Sequence, residues 1–474
     1  MRIIFCFAIA FIYGFTLNAQ TDYKIKKNAT ICGHDYLNNK NILAQEYLFS
    51  EKIYKWHIDS LKNLASIQTI NQKQIGNLIL FDLSSKEIKW TDIIDFNLSS
   101  IYHFTNTLIE TKNKTSYSLN LENGKTLWEA PTSIYFSGIQ NSIGVGYKSP
   151  SISGVNLTDG KIIWDRKIEF GKNVQNIIHI NDTVIILSNG IHFLNLLNGK
   201  GWDYYSTIGK FDNNVNVNNL LNQDSSLYFT FKNEAVKLDY NGEIKWRSYI
   251  NKEALGRTIV FSNDSVLYII GLGFYFNDNN KFTKTSPFIA SFNKINGHQL
   301  YYHQFSWKDS YINNYKVKYD TLYIAFQNRV AMFSLANGTL LKEHLYNIEK
   351  FGDIVFFADK SFYLMQDSIF KTLNLTDIKL NFILTKSGNV LAINDNLEIV
   401  NQLDKSKIYF CGLEFNNIYF LTNDENNMLL INNQGKKLAD FHASRKSTLS
   451  ANRFYYTQDN KFIEIDLKDI IKTK

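Results

Sequence analysis

Short runs of apolar residues alternate with polar turns along almost the whole chain. Residues 100–128 show the pattern most clearly, with the runs SIYHFTN, TLIET, TSYSLNL and KTLW separated by turns that contain Asn, Lys and Gly. Runs of this length, rich in Ile, Tyr, Thr, Leu and Phe and bounded by turn residues, predict β-strands. The sequence therefore predicts an all-β protein in which each repeating unit contains four short strands.

A recurring phrase ends most of these units. An apolar strand leads into a turn with Asn-Gly or a similar pair, and an aromatic residue stands three or four positions after the glycine, as in LNLENGKTLW ending at Trp128. Such turns need a positive φ, which glycine adopts without strain. The aromatic ring then has a fixed place on the next strand, where it can wedge between adjacent sheets. The predicted structural residues of the repeat are Trp90, Trp128, Trp164, Trp202 and Trp246, with Gly124, Gly160, Gly199, Gly242, Gly297 and Gly338.

Units of about 40 residues with four short strands are typical of β-propeller blades. The phrase L-[DN]-x-x-[NDT]-G-K-x-x-W resembles the pyrroloquinoline-quinone-like (PQQ-like) repeat of quinoprotein alcohol dehydrogenases and of the propeller component of the outer-membrane protein assembly machinery. The resemblance covers residues 75–345 well and implies eight blades. We call the aromatic residue that ends a unit its anchor. Anchors counted from Trp56 onward give more than eight units, so nine or ten blades stay open as alternatives. We predict one propeller over residues 20–474, closed by pairing between its N- and C-terminal strands.

The resemblance also bears on catalysis. Enzymes of this family stack the quinone on a tryptophan floor, cap it with a disulfide between adjacent cysteines and hold Ca²⁺ with acidic and amide side chains. This chain has no adjacent cysteines and no Cys-x-x-Cys-His haem motif. The resemblance therefore lies closer to the non-catalytic assembly propeller, and we predict no catalytic residue, cofactor or metal.

The first 19 residues predict a secretory signal peptide. A basic start at Arg2 precedes an apolar run from Ile3 to Phe15, and Ala19 offers a small residue for cleavage. We expect a protein exported to the periplasm or secreted. No cysteine stands at the expected cleavage point, which departs from a lipid-anchored pattern. Later apolar runs are too short to span a membrane.

Two cysteines remain after removal of the signal peptide. Cys32 and Cys411 form a candidate disulfide, because exported proteins meet oxidising conditions. The alternative is two buried thiols that act as small apolar side chains. Sequence separation alone does not place the two Cβ atoms, so both interpretations stand.

Charge and histidine spacing exclude other classes of function. The chain carries 51 Lys and Arg against 44 Asp and Glu, for a formal charge of +7, but the two signs are interleaved. We expect no nucleic-acid partner, since no basic block marks such a surface. The 9 histidines are scattered without HxH or HExxH spacing, so no metal site is predicted.

One segment interrupts the repeat. Residues 271–278 carry Phe274, Tyr275 and Phe276 in a stretch that lengthens its unit. Aromatic residues on propeller loops are frequent interface anchors, so we predict a candidate interaction loop. The alternative is a β-hairpin extension that packs on the neighbouring blade.

These features together predict an exported, non-catalytic β-propeller that acts as a protein-binding scaffold in the cell envelope. Its expected partner is another envelope protein or a peptide. Two alternatives come from other classes. One is a propeller enzyme with a central-channel site, either a quinoprotein-like oxidoreductase or a glycan-active enzyme, and the other is a glycan-binding module.

Overall fold

The computed structural model describes residues 25–104, 107–138, 142–148, 150–168, 176–187, 190–204, 220–231, 233–251, 256–276, 281–305, 311–356, 361–365, 369–372, 381–405, 408–423, 425–444 and 446–471. Most of the described residues lie in β-strands, and the single helix among them is one short turn, α1, at Ile348–Phe351. The predicted signal peptide, residues 1–19, lies outside the described residues.

The first half of the chain forms five four-stranded units, preceded by two strands from the N-terminal segment. The strands are β1 (Lys26–Asp35) and β2 (Lys40–Leu48); blade 1 with β3 (Lys52–Asp59), β4 (Leu64–Ile70), β5 (Ile75–Asp82) and β6 (Glu87–Asp95); blade 2 with β7 (Ser99–Phe104), β8 (Thr107–Lys112), β9 (Thr115–Leu119) and β10 (Thr126–Ala130); blade 3 with β11 (Ser133–Gly138), β12 (Ile143–Lys148), β13 (Ser151–Asn156) and β14 (Ile162–Lys167); blade 4 with β15 (Asn176–Ile180), β16 (Thr183–Leu187), β17 (Ile191–Asn195) and β18 (Gly201–Tyr204); and blade 5 with β19 (Leu220–Gln223), β20 (Ser226–Phe231), β21 (Glu234–Asp239) and β22 (Ile244–Tyr249).

The second half repeats this plan with two inserted hairpins. Its strands are blade 6 with β23 (Thr258–Ser262), β24 (Val266–Gly271), the inserted β25 (Phe274–Phe276) and β26 (Phe282–Lys284), β27 (Phe288–Asn293) and β28 (Gln299–Gln304); blade 7 with β29 (Ile312–Lys318), β30 (Thr321–Phe326), β31 (Arg329–Ser334) and β32 (Leu340–Leu345); blade 8 with β33 (Ile354–Phe356), the inserted β34 (Ser361–Met365) and β35 (Ile369–Thr372), β36 (Asn381–Thr385), β37 (Val390–Ile393) and β38 (Ile399–Leu403); blade 9 with β39 (Ile408–Phe415), β40 (Ile418–Thr422), β41 (Asn427–Asn432) and β42 (Lys437–His442); and blade 10 with β43 (Ser447–Ser450), β44 (Arg453–Gln458) and β45 (Lys461–Asp466), completed by β2.

Each blade is an antiparallel meander, and the blades form a closed ring. First strands of several neighbouring blades lie next to each other, which makes the first strand of a blade its innermost one. Buried apolar clusters join successive blades, and one cluster joins blade 10 to blade 1 through Tyr455 and Phe462 against Ile67 and Phe81. The predicted fold class, an all-β propeller of four-stranded blades, is confirmed.

The preferred number of eight blades is wrong, because the described strands form ten, the upper end of the range left open. Two features hide the extra units from the sequence. Blade 8 is interrupted by the β34–β35 hairpin, and blade 10 takes its last strand from the other end of the chain. Trp56 is also not an anchor of the repeat: it lies on innermost strand β3 and meets Phe462 edge-on at 5.7 Å.

The repeated phrase forms a lock between neighbouring blades. The anchor of one blade lies against the turn glycine of the next, and its ring N–H or hydroxyl donates to a main-chain carbonyl in that turn region. At the Trp128 lock, Nε1 donates to Leu157 O at 3.1 Å, and a Cβ added to Gly160 would lie 2.6 Å from Cε3 of the indole. Equivalent pairs are Trp90 with Gly124, Trp164 with Gly199, Trp202 with Gly242, Trp246 with Gly297 and Tyr301 with Gly338.

A β-bulge precedes most of these anchors. In blade 2, Thr126 pairs with Leu119 and Trp128 with Ser118, so Leu127 is an extra residue on the outermost strand. Several bulged residues are exposed and apolar, namely Leu127, Ile163, Leu300, Leu341 and Val400. Bulges interrupt the regular hydrogen-bonding edge of a strand, which hinders pairing with other chains. The rim of the ring is therefore protected at the same place in successive blades.

The two ends of the chain meet in blade 10. Strand β2 pairs with β45, and β1 lies between β2 and the outermost strand of blade 9. At the junction with blade 1, the buried carboxylate of Glu464 pairs with the Lys86 ammonium and lies 3.0 Å from an Arg453 nitrogen. Strand pairing and the ion pairs of the buried Glu464 carboxylate with two partly exposed cations thus close the ring together.

Candidate functional site

The two faces of the ring carry different connections. In an antiparallel meander, the connection between strands two and three emerges on the face opposite the other two within-blade turns. We call the face with the glycine turns, such as Gly160, the turn face. The opposite face carries the β25–β26 hairpin, which is inserted between the second and third strands of blade 6, and we call it the hairpin face.

The predicted interaction loop is this hairpin. Phe274 pairs with Lys284 and Tyr275 with Thr283, and the hairpin is attached to the blade by the Arg257 N–H, which donates to Phe274 O at 2.9 Å. The structure therefore has the hairpin extension that the sequence offered as an alternative. The side chain of Phe276 lies outside the described residues.

Aromatic rings form a cluster at the base of the hairpin. Phe274 and Phe282 stack with their ring centroids 5.3 Å apart, and Tyr311 meets both rings edge-on at 5.9 and 5.8 Å. The Arg257 guanidinium lies 5.8 Å from the Phe274 centroid. Phe282 stays 41% exposed. Because Tyr311 precedes blade 7, the cluster spans two blades, with the Phe282 ring partly exposed at its surface.

The structure places the predicted repeat residues at blade interfaces and the two cysteines in separate surroundings. The Cys32 Sγ donates to Ile42 O at 3.5 Å, and the Cys411 Sγ donates to Leu413 O at 3.6 Å. Cys32 packs against the cluster between blades 9 and 10, whereas Cys411 packs within blade 9. The candidate disulfide is not formed in the structure. Burial raises the pKa of the Cys32 thiol to about 12.

Sequence reasoning missed a second surface, the inner wall, which we define as the ten innermost strands β3, β7, β11, β15, β19, β23, β29, β33, β39 and β43. These strands contain four lysines but only two carboxylates, Asp59 and Glu414. Asp59 is buried, and its Oδ1 accepts the Leu61 and Lys62 N–H groups at 3.0 and 3.2 Å. The wall is thus basic and poor in accessible acid.

Two strands of the inner wall each carry a β-bulge whose extra residue is an exposed tyrosine. On β3, Ile53 pairs with Thr69 and Lys55 with Gln68, which leaves Tyr54 as the extra residue, 61% exposed. On β11 the same irregularity leaves Tyr135 extra, 45% exposed. Bulges re-aim side chains and are common next to functional sites. A single sequence shows no signal for them, since the bulge depends on the partner strand.

Lys55, Tyr102 and Tyr135 form a contiguous group across blades 1, 2 and 3, which we call the inner-wall cluster. The Lys55 Nζ lies 5.4 Å from the Tyr102 centroid and donates to Ile101 O at 3.4 Å. Tyr102 meets Tyr135 edge-on at 6.2 Å. One cation and two aromatic rings are therefore arranged side by side on three adjacent strands.

Two histidines lie beside this cluster, at the interface of blades 1 and 2. The rings of His57 and His103 are 4.6 Å apart, and His103 Nδ1 is hydrogen-bonded to Ser66 Oγ at 2.8 Å. Burial, with a smaller effect from His57, lowers the pKa of His103 to about 4. Burial also lowers the pKa of His57. The pair is therefore neutral at pH 7 and acts as a packed, polar contact between blades.

Innermost strands can accept an added strand. Strand β34 of the blade 8 hairpin pairs antiparallel with β39, the innermost strand of blade 9, with Ser361 opposite Phe410 and Tyr363 opposite Ile408. Since β39 pairs with β40 on its other side, β34 lies on the channel side of blade 9.

In the ranges described above, no three His, Cys, Asp or Glu side chains come together in a way that could hold a metal ion. No described helix is long and apolar enough to cross a membrane.

Comparisons with known proteins add little to this picture. No model of a known protein family matches the chain, and no curated protein is detectably similar. Among solved structures, BamB from Moraxella catarrhalis is 13% identical over 73% of this chain and 97% of its own, with a TM-score of 0.34. Quinohemoprotein alcohol dehydrogenase from Comamonas testosteroni is 8% identical over 68% of this chain and 69% of its own, with a TM-score of 0.32. At such low scores, the assignment of the fold rests on the sheets of this chain alone.

Proposed function

We propose that this protein is an exported, non-catalytic scaffold of the cell envelope that holds a protein partner on its hairpin face. The observation that carries the proposal is the aromatic cluster of the β25–β26 hairpin. Phe282 is exposed beside Phe274, Tyr311 and Arg257, which already hold one another in place. Aromatic and Arg side chains on a fixed base are the usual anchors of protein interfaces.

The ring supports this role because it is pre-organised. Blades 1 to 7 are locked to one another by anchor and glycine pairs, and the ends of the chain are joined by strand pairing. A rigid base lowers the conformational entropy that binding would otherwise cost. A partner would therefore meet a hairpin whose position is already set by blades 6 and 7.

Export is part of the proposal and is supported by the N-terminal sequence, with its apolar run ending before Ala19. The sequence resemblance to the PQQ-like repeat supports an envelope role in the same way. N-terminal sequencing of the mature protein, after fractionation of the cells, tests this part. A chain that keeps Met1 and stays in the cytoplasm would contradict it.

Crosslinking in intact cells tests the binding surface. We expect a tagged protein to capture one envelope protein repeatedly, with crosslinks mapped to Lys281 or Lys284 of the hairpin. Phe282→Ala should abolish the capture and leave the melting temperature almost unchanged. The matched control is Tyr319→Ala, because Tyr319 is an 81% exposed aromatic residue at a turn on the turn face. Equal capture by wild type and Phe282→Ala would overturn the proposal.

A further inference from the structure

We propose that the inner wall of blades 1 to 3 is a second binding site, which takes an extended peptide with acidic side chains. The peptide would add to the channel-side edge of β7 in blade 2, flanked by Lys55 of blade 1 and Tyr135 of blade 3. The inference builds on the proposed binding function but concerns a surface distinct from the blade 6 hairpin.

The shape of the site comes first from the bulges. Regular innermost strands direct their side chains toward the neighbouring blades. The extra residues at Tyr54 and Tyr135 break this alternation and leave large aromatic surfaces exposed. Exposed tyrosines supply contact area at a small cost in side-chain entropy. They lie on β3 and β11, the innermost strands on either side of β7, and we call this part of the inner wall the trough, with β7 as its floor.

The charge of the site selects the ligand. Lys55 stands at one side of the trough, and the only carboxylate on β3, β7 and β11 is Asp59, whose Oδ1 is already held by two main-chain N–H groups. A peptide carboxylate placed beside Lys55 would gain a charge-assisted hydrogen bond, and no other carboxylate of these three strands competes with it. Glu110 of the neighbouring strand β8 already accepts a hydrogen bond from Ser99 Oγ at 2.7 Å. A basic peptide would meet like charge instead.

The strand edge selects an extended conformation. Among the described strands, β7 pairs with β8 alone, so one of its edges is directed toward the channel. The ammonium of Lys55 donates to the Ile101 carbonyl on this strand. An incoming peptide N–H could take over that carbonyl, which would release Lys55 to the peptide carboxylate. Strand β34 already makes this kind of addition to β39 in blade 9.

A designed peptide tests the inference. The probe is a fluorescein-labelled octapeptide of alternating Glu and Val, because alternate side chains of a strand point to opposite sides and would meet Lys55 and Tyr135 respectively. Fluorescence anisotropy should show saturable binding to the wild-type protein. The same peptide with Lys in place of Glu should not bind. Lys55→Glu should weaken binding of the acidic peptide about tenfold or more and allow the Lys peptide to bind.

Matched variants separate this site from other effects. Lys125→Glu changes an exposed turn lysine on the turn face and should leave binding unchanged, and Tyr135→Ser should weaken it without loss of folded signal by circular dichroism. Equal binding of the acidic peptide to wild type and Lys55→Glu would overturn the inference. Binding of an oligogalacturonate, but of neither peptide, would overturn the choice of a peptide.

The hairpin variant keeps the two proposals distinguishable. Phe282→Ala should bind the acidic peptide as wild type does, because blades 1 to 3 are remote from the hairpin in the order of the ring. Loss of peptide binding in Phe282→Ala would overturn a separate inner-wall site. If the wild-type protein captured no envelope protein in cells but still bound the acidic peptide, only the proposed hairpin surface would be overturned.

Discussion

Trp128 of blade 2 lies directly against Gly160 of blade 3, and its indole N–H donates to Leu157 O in the same turn region. The glycine is needed twice in this contact. Its φ is +73°, a conformation that other residues adopt with strain, and its missing Cβ leaves room for the indole ring. Gly160 thus forms the turn of blade 3 and at the same time the surface against which Trp128 of blade 2 packs.

Gly160→Ala should therefore lower the free energy of unfolding by about 2–4 kcal/mol, since backbone strain and overpacking act together. The matched control is Gly388→Ala, at φ +86° with no atom within 4 Å of the added Cβ. That variant should show the strain alone, about 1–2 kcal/mol. Urea denaturation of both variants measures the difference, and equal destabilisation would show that the contact with Trp128 contributes nothing.

Removal of a single anchor donor should have a smaller effect. Tyr301→Phe keeps the ring against Gly338 but loses the hydroxyl that donates to Leu335 O at 3.1 Å. We expect a loss of about 1 kcal/mol, the usual net value of one hydrogen bond. Tyr319→Phe, at an exposed turn, is the control and should be neutral. If Tyr301→Phe lowered the free energy of unfolding more than Gly160→Ala does, the lock would not depend mainly on packing.

The ring closure should depend on Glu464. Glu464→Gln leaves Lys86 and Arg453 without their shared carboxylate at the junction of blades 10 and 1, and we expect a loss of about 1–3 kcal/mol. Asp469→Asn removes the half-exposed pair with Lys40 and should leave the melting temperature almost unchanged, because solvent screens an exposed ion pair. Thermal unfolding of the two variants decides the matter. Equal melting temperatures would argue against a closure stabilised by the ion pairs of Glu464.

Acid should loosen the interface of blades 1 and 2. The pKa of His103 falls from 6.5 to about 4 on folding, chiefly through burial, so the unfolded chain binds more protons between these values. The contribution of neutral His103 to the free energy of unfolding is therefore complete above pH 6.5 and is lost as the pH falls toward 4. His57 faces His103 and acts in the same direction, whereas Asp59 opposes and Lys62 adds to the effect.

Urea midpoints at pH 7.5 and pH 5 measure this dependence. His103→Gln should reduce the difference between the two midpoints, because the titrating ring is gone. The exposed His298→Gln, in a turn of blade 6, should keep the wild-type difference. If His103→Gln kept the wild-type difference between the two midpoints, the pH dependence of stability would come from other groups.

The cysteines give a chemical test. Because burial raises the pKa of Cys32 to about 12, its thiolate is scarce and should react slowly with iodoacetamide at pH 8 in the folded protein. After unfolding in urea without reductant, both Cys32 and Cys411 should be labelled. Mass spectrometry of the peptides measures this, and an unlabelled pair would restore the candidate disulfide of the sequence analysis.

Much of the fold could be predicted from the sequence because the repeat is local. The spacing from Gly124 to Trp128 defines a hairpin within ten residues, and its recurrence implies blades. Pairing between the two ends of the chain was also predicted, but blades 8 and 10 were not counted as separate units. Their period is broken by the β34–β35 hairpin and by the use of β2 from the other end of the chain. Neither change can be recognised from the sequence pattern within a single hairpin.

The candidate sites divide in the same way. Phe274 and Tyr275 were visible because they interrupt the repeat, and the structure places them on a hairpin. The inner-wall cluster was not visible, since Lys55, Tyr102 and Tyr135 come from three blades and lie 47 and 33 residues apart in the chain. Contacts between first strands exist only once the blades pack in a ring.

The sequence by itself determined the strands, their turns and the positions of the anchors, because these depend on residues within one hairpin. Tertiary structure alone decided the number of blades, the partner of each anchor and the composition of the inner wall. These features depend on which strands meet after closure of the ring. Tyr54 and Tyr135 illustrate the difference, since each is an ordinary strand residue in the chain and a bulged, exposed one only against its partner strand.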